Sequence, residues 1–229
     1  VVKKKARPKP KARVERVVGW SDSELAYPYH QYLVPAFLEE LESCLGSGSK
    51  RVIDLGSGNG YVTDQIARRG HEVIGVESSS DGLAVARRNF PTLRFMDASL
   101  YDPGLKARLG ARADCVVALE VVEHLFSPRE LFRTARKLLR PGGWLILSTP
   151  YHGYLKNLAI AMTDGWDKHL EAHSDGGHVK FFSKRTLGVM MAEEGFTPRR
   201  FRGCGRLPFL WKAMIVCAQV TDETPAAGR

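Results

Sequence analysis

The chain has 229 residues, 44% of them hydrophobic and 26% charged, which suits one globular α/β domain and is short for two. No apolar run approaches the ~18 residues of a membrane span, and the basic start VVKKKARPKPKARVER has no apolar stretch behind it, so a transmembrane helix and a secretory signal are both disfavoured. The net charge of +9 suggests a nucleic-acid partner until it is located: residues 1–16 hold eight Lys/Arg and one acid, and the rest of the chain carries only +2. Residues 1–16 are therefore expected to be a disordered, solubilising tail, with RNA or an anionic membrane surface as its alternative contacts. Cys44, Cys115, Cys204 and Cys217 are scattered with no CxxC pair, which points to reduced cysteines in a cytoplasmic protein.

The domain is expected over 17–220, followed by a flexible tail, 221–229. Residues 34–45 have apolar positions at helical spacing, and GSGS stops that helix. Alternation then begins: strand RVIDL, loop GSGNG and helix YVTDQIARRG; strand HEVIGVE and helix SDGLAVARRNF; strand LRFMD; strand DCVVALE and helix LFRTARKLLR; strand GGWLILSTP. Ser127, Pro128 and Glu130 read as a capping box for the helix after the fourth strand, and Pro141-Gly142-Gly143 as the turn that ends it. Residues 151–182 read as an irregular insertion that caps a substrate pocket. Ser183 N-caps a helix that Gly195 ends, and apolar segments near 197–202 and 210–220 complete the sheet. The pattern predicts a Rossmann-like, doubly wound, mainly parallel seven-stranded sheet with an N-terminal helix and a cap insertion.

The strongest functional signal is Asp54-Leu-Gly56-Ser57-Gly58-Asn-Gly60-Tyr61, directly after a strand and before a helix. Glycines there let the backbone turn tightly and a ligand approach it. The spacing is GxGxG: Tyr61 stands where a dinucleotide fingerprint needs its third glycine, which disfavours an NAD oxidoreductase. Glu77, followed by Ser78, closes the second strand, and Asp97, followed by Ala98, closes the third. In an open α/β sheet, ligands lie outside the carboxyl ends of the strands. A carboxylate after the second strand can accept from ribose hydroxyls, and one after the third from an adenine amino group. The tight glycine loop suits a ligand without a pyrophosphate, such as S-adenosylmethionine (SAM).

Residues 48–150 resemble the class I SAM-dependent methyltransferases in VIDLGSGNG, Glu77, Asp97 and PGGWLILSTP. By that resemblance, Gly56, Gly58 and Gly60 line the methionine moiety, Glu77 holds the ribose, Asp97 and Ala98 face the adenine, and Leu119 and Glu120 close the site. The stretch Glu120-Val-Val-Glu123-His124 resembles the EVVEH of ubiquinone-pathway O-methyltransferases, where both acids and the histidine are associated with a divalent cation. It is also similar to the metal-binding ExxEH of small-RNA 3′-terminal 2′-O-methyltransferases, in which a further histidine completes the site; His178 is the matching candidate. Glu120, Glu123, His124 and His178 are thus a candidate set for Mg²⁺, Mn²⁺ or Zn²⁺. Without a metal, His124 is the preferred general base.

The insertion also supplies Tyr151, His152, Tyr154, Lys156, Trp166, His169 and His173, and the N-terminal part Tyr27, Tyr29, His30 and Tyr32. Aromatics there can stack on a ring or a base, and His152 and His178 rank with His124 as candidate catalytic residues. The reading that follows is methylation of an oxygen on a small aromatic or secondary-metabolite acceptor. The alternatives are metal-dependent methylation of a terminal RNA ribose and SAM binding without catalysis.

Overall fold

The computed structural model describes residues 26–170 and 177–221. Seven strands, β1 (Arg51–Leu55), β2 (Glu72–Glu77), β3 (Arg94–Asp97), β4 (Ala113–Leu119), β5 (Leu139–Pro150), β6 (Phe196–Cys204) and β7 (Ala213–Val220), form one sheet in the order 3-2-1-4-5-7-6. The first five strands run parallel; β7 runs antiparallel between β5 and β6. The expected doubly wound α/β fold is therefore the fold observed. No helix of the described residues is long and apolar enough to cross a membrane.

Strand periodicity divides the core in two. Ile53, Leu55, Val116, Ala118, Leu145, Leu147, Met214 and Val216 point to one face, and Val52, Cys115, Val117, Ile146, Ile215 and Cys217 to the other. Near-continuous apolar runs are what a sheet covered on both faces requires. Helix α1 (His30–Leu45) covers the second face with Leu33, Phe37 and Leu41, one turn apart and fully buried. Each such side chain contributes about 1.5–3 kcal/mol of apolar burial. The remaining helices are α2 (Tyr61–Ala67), α3 (Ser80–Asn89), α4 (Leu105–Leu109), α5 (Arg129–Leu138), α6 (Tyr154–Met162), α7 (Trp166–Leu170) and α8 (Lys184–Glu193).

Several local expectations are corrected. Helix α1 starts at His30, four residues earlier than its clearest apolar spacing. Helix α5 has no capping box: Ser127 accepts the Glu130 N–H through its backbone carbonyl, and the Glu130 carboxylate is drawn to Arg133 at 2.7 Å. Pro141-Gly142-Gly143 lies inside β5 rather than before it. The β4–β5 register jumps from Ala113↔Leu139 to Cys115↔Trp144, so the extra residues form a bulge that Gly142, at φ +69°, allows. Ser183 does cap α8, in a reciprocal capping box with Thr186.

The insertion is not irregular in its described part, because it carries α6 and α7. Helix α6 escapes pattern reading because its polarity is inverted. It buries Lys156 and Ile160 and leaves Tyr154, Leu155, Leu158 and Met162 exposed. The basic tail 1–16, His173 and residues 222–229 lie outside the described residues.

Candidate active site

Strand order reverses at β1: the chain crosses one way to β2 and β3, then the other way to β4 and β5. Connections diverge at such a switch point and leave a crevice at the strands' carboxyl ends. A cavity of about 760 Å³ opens there. It falls into three banks: the ends of β1 and β2, the turn after β4, and the cap.

The first bank is the glycine loop. Gly56 has φ +78°, and a Cβ there would stand 2.6 Å from Val121 Cγ2, so side chains are excluded twice over. The Gly56 and Ser57 amides both donate to the Val76 carbonyl, at 2.8 and 3.1 Å. Glu77 then clamps the loop: one carboxylate oxygen accepts from the Gly58 amide at 2.7 Å, the other from the Ser78 and Ser79 amides at 2.9 and 2.7 Å. A carboxylate offers about four acceptor positions, so Glu77 can hold the loop and still accept from a ligand hydroxyl. Asp54 is 2% exposed and accepts from the Thr63 hydroxyl at 2.6 Å. Burial, only partly offset by that bond and reinforced by the charge of Glu77, raises its pKa to about 7.

Asp54, Gly56, Ser57, Gly58, Glu77, Ser78, Ala98, Leu119 and Glu120 all line the cavity, as the sequence reading expected of a cofactor wall. Gly60, Tyr61 and Asp97 do not. Gly60 is needed for packing, since a Cβ would stand 2.8 Å from the Phe95 ring. Tyr61 stacks on His30 at 4.8 Å. Asp97 is exposed, and its carbonyl accepts from Arg108. Sequence reasoning missed Thr63 and Ser148, hydroxyl residues that pin the two acids Asp54 and Glu120 and belong to separate segments.

The second bank follows β4. Glu120 is held at φ +53°, a left-handed conformation costly for a residue with a Cβ. Ser148 of β5 stabilises it, donating its hydroxyl to Glu120 Oε1 at 2.7 Å and accepting the Glu120 amide at 3.0 Å. Burial raises the Glu120 carboxyl to about 7. Glu123 is 1% exposed, and neither carboxylate oxygen makes a well-formed hydrogen bond among the described residues, the buried Thr149 hydroxyl being its near neighbour. Burial first, then the charge of Glu120, pushes its pKa well up. The Glu123 carbonyl accepts the amides of Val179 and Lys180, which brings His178 beside His124 with ring centroids 5.0 Å apart.

Ligand atoms of Glu123, His124 and His178 all lie within 4.8 Å of one another. Glu120, included in the candidate set from sequence, is not in this group, because Ser148 holds its carboxylate. A buried carboxylate whose oxygens make no well-formed hydrogen bond among the described residues, beside two imidazoles, fits a divalent cation by donor type.

The third bank is the cap. Tyr27, Tyr29, His30, Tyr32, His152, Lys156, His169 and His178 line it, as expected from sequence; Arg206 and Lys212 join them. Tyr151 instead packs in the core against Trp211, Tyr154 points to solvent at 79% exposure, and Trp166 is off the wall. Burial and the charge of Lys156 lower His152 to about 4, so its imidazole is neutral at ordinary pH. With Nδ1–H donated to Asn157 Oδ1 at 3.1 Å, the His152 Nε2 is left as an acceptor.

A switch-point glycine loop, an acid closing β2 and an antiparallel β7 between β5 and β6 define a class I SAM-dependent methyltransferase domain. The family described as a methyltransferase domain matches residues 27–200, and the chain belongs to it. It is 32% identical over 135 residues to the ubiquinone biosynthesis O-methyltransferase of Leptothrix cholodnii, covering 57% of each protein. The enzyme of that name from Chromobacterium violaceum is 24% identical over 194 residues, 82% of each. The chain thus spans little more than half the length of several curated relatives that it matches.

Among the solved structures that share the fold are two methyltransferases. One is the 1,6-didemethyltoxoflavin-N1-methyltransferase of Burkholderia thailandensis with its acceptor and S-adenosylhomocysteine bound, at TM-score 0.60 and 20% identity, covering 82% of this chain and 77% of that one. The other is the magnesium protoporphyrin IX methyltransferase of Synechocystis PCC 6803 with S-adenosylhomocysteine bound, at TM-score 0.60 and 19% identity, covering 82% and 81%.

Proposed function

We propose that this chain transfers a methyl group from SAM to an oxygen of a small aromatic acceptor. The observation that carries the reading is one cavity that joins the glycine loop and its acids to a wall of three tyrosines and several histidines, with His124 between them. SAM supplies a methyl already activated on a sulfonium. What remains for the protein is to hold two reactants in line, which is worth several kcal/mol of barrier.

Asp54, Glu77 and the loop backbone that Gly56 and Gly58 let a ligand approach closely bind and orient the cofactor end. Leu119 and Glu120 set the floor where the methyl group arrives. Tyr27, Tyr29 and Tyr32 hold the acceptor ring by stacking and edge contacts. Without a metal, His124 takes the proton that the acceptor hydroxyl must lose when its oxygen bonds to carbon, and the neutral imidazole of His152 accepts from a second, neighbouring hydroxyl. In the alternative with a metal, Glu123, His124 and His178 would hold a divalent cation, which would lower the pKa of a hydroxyl placed beside it in place of the His124 base. The O-methyltransferase names of the curated relatives support an oxygen acceptor. The near-neutral charge of residues 17–229 favours a small molecule over a nucleic acid.

Incubation of the purified chain with methyl-labelled SAM and a fractionated cell extract, with and without EDTA, tests this. Label in the organic-soluble fraction supports the reading, and its loss with EDTA supports the cation. Label in short RNA replaces the small molecule with a terminal ribose.

A further inference from the structure

The charges around the cavity come from different elements. The acids Asp54, Glu77 and Glu120 sit at the ends of β1, β2 and β4, whereas Lys156, Arg206 and Lys212 sit on the cap side, in α6 and in the connection from β6 to β7. Lys156 is only 5% exposed. A buried ammonium is costly unless an anion or several acceptors compensate it. Its Nζ donates to a single neutral group, the Lys212 carbonyl, at 3.2 Å. None of the three cations forms an ion pair among the described residues; the charge of Glu120 acts on Lys156 without a contact, and the Glu120 carboxylate is bonded to Ser148.

The cap cations act on the same space. Burial and then the charge of Arg206 lower Lys156 to about 8, and Lys156 and Arg206 both depress His169. Lys212 places its ammonium over the Tyr32 ring, 5.1 Å from the centroid, so a cation and an aromatic face share one wall.

We propose that Lys156, with Arg206 and Lys212 at the mouth, is a carboxylate subsite, and that the acceptor is a hydroxylated aromatic acid. The bank of acids complements the positive sulfonium end of SAM; the bank of cations complements an anion on the opposite reactant. The tyrosines lie with the cations on the cap side, so a ring seated on them carries its acidic substituent toward Lys156 and its hydroxyl toward His152 and His124. The methionine carboxylate of SAM has the same chemistry and is the competing source. It is disfavoured because all three cations stand on cap elements and none on the glycine loop. Helix α6 gains a reason for its inverted polarity: it turns a lysine inward while four apolar residues remain in water.

This inference rests on the cavity being the methyl-transfer site, and one titration series separates the two. The protein is saturated with S-adenosylhomocysteine and titrated calorimetrically with 3,4-dihydroxybenzoate and with its uncharged methyl ester. The acid is expected to bind about 10-fold or more tightly than the ester, as a buried charge-assisted pair requires. Lys156→Met removes that preference and leaves the S-adenosylhomocysteine affinity unchanged; Lys156→Arg retains it. Arg206→Gln, at an exposed position that does not threaten folding, weakens acid binding about threefold or more and spares the ester.

Equal binding of acid and ester, or binding of neither, overturns the subsite. Weakened S-adenosylhomocysteine binding in Lys156→Met gives the lysine to the methionine carboxylate and also overturns it. Failure of the wild-type chain to bind S-adenosylhomocysteine at all refutes the underlying methyl-transfer reading instead.

Discussion

Asp54 exposes a conflict between stability and cofactor binding that can be measured. Its carboxyl is 2% exposed, bonded once to the Thr63 hydroxyl, and raised by burial from 3.8 to about 7. Below pH 3.8 the group is neutral in both folded and unfolded chains and costs nothing. As pH rises, the unfolded chain ionises first, and the folded state loses relative stability until pH passes about 7. At 1.36 kcal/mol per pH unit the full loss is about 4 kcal/mol, of which less than half is present at pH 5.

Asp54→Asn keeps an oxygen for the Thr63 hydroxyl and removes the titration. In urea unfolding without SAM, the variant should therefore gain about 2–3 kcal/mol over wild type between pH 5 and pH 8, with an unchanged m-value. Other titrating groups are common to both proteins and largely cancel in the difference. On the proposed role of Asp54 in holding the cofactor, the same substitution should also weaken SAM binding about 10-fold, because a negative charge is lost from that wall. A stability difference that does not change with pH, or a variant less stable at pH 8 than at pH 5 relative to wild type, would refute the argument.

Two further perturbations probe the other banks. Gly56→Ala forces a Cβ to within 2.6 Å of Val121 Cγ2 at φ +78°. The left-handed backbone alone costs about 1–2 kcal/mol, so thermal unfolding should shift down and SAM affinity fall. Val121→Ala in the same chain should restore part of the stability, and a wild-type melting curve for Gly56→Ala would contradict the packing described. Added Mn²⁺, Mg²⁺ or Zn²⁺ should raise the melting temperature of the wild-type protein, because a ligand that binds only the folded state stabilises it. Glu123→Gln should abolish that rise, since Glu123 is the buried carboxylate of the group; no shift with any of the three ions would remove the cation from the site.

Much of the glycine-loop wall of the cavity was legible because its signals are local. Asp54 through Gly58 are contiguous, and their positive-φ glycines fall where only glycine is tolerated without strain. Glu77 is marked by its place at the end of an apolar run. Asp97 ends a strand in the same way yet faces solvent, because the end of a strand fixes a residue's height on the sheet and not its direction. Tyr61 was read as a cofactor-binding residue; it does not line the cavity and packs on His30. The cap was the least legible part. Arg206 and Lys212 sit in a connection with no motif, and α6 hides its lysine on the inner face among outward apolar residues.

The sequence by itself determined the strand–helix alternation, hence the doubly wound sheet, and the glycine loop at its switch point, because periodicity and backbone freedom act over a few neighbouring residues. Only the tertiary structure decided that Ser148 takes Glu120 out of the set with Glu123, His124 and His178, and that Lys156, Arg206 and Lys212 line one cavity with Asp54, Glu77 and Glu120. Those arrangements depend on strand register and on a cap folded back over the sheet: Glu120 meets Ser148 across 28 residues, and His124 meets Gly177 across 53. Contacts at such separations leave no periodic trace in the chain that makes them.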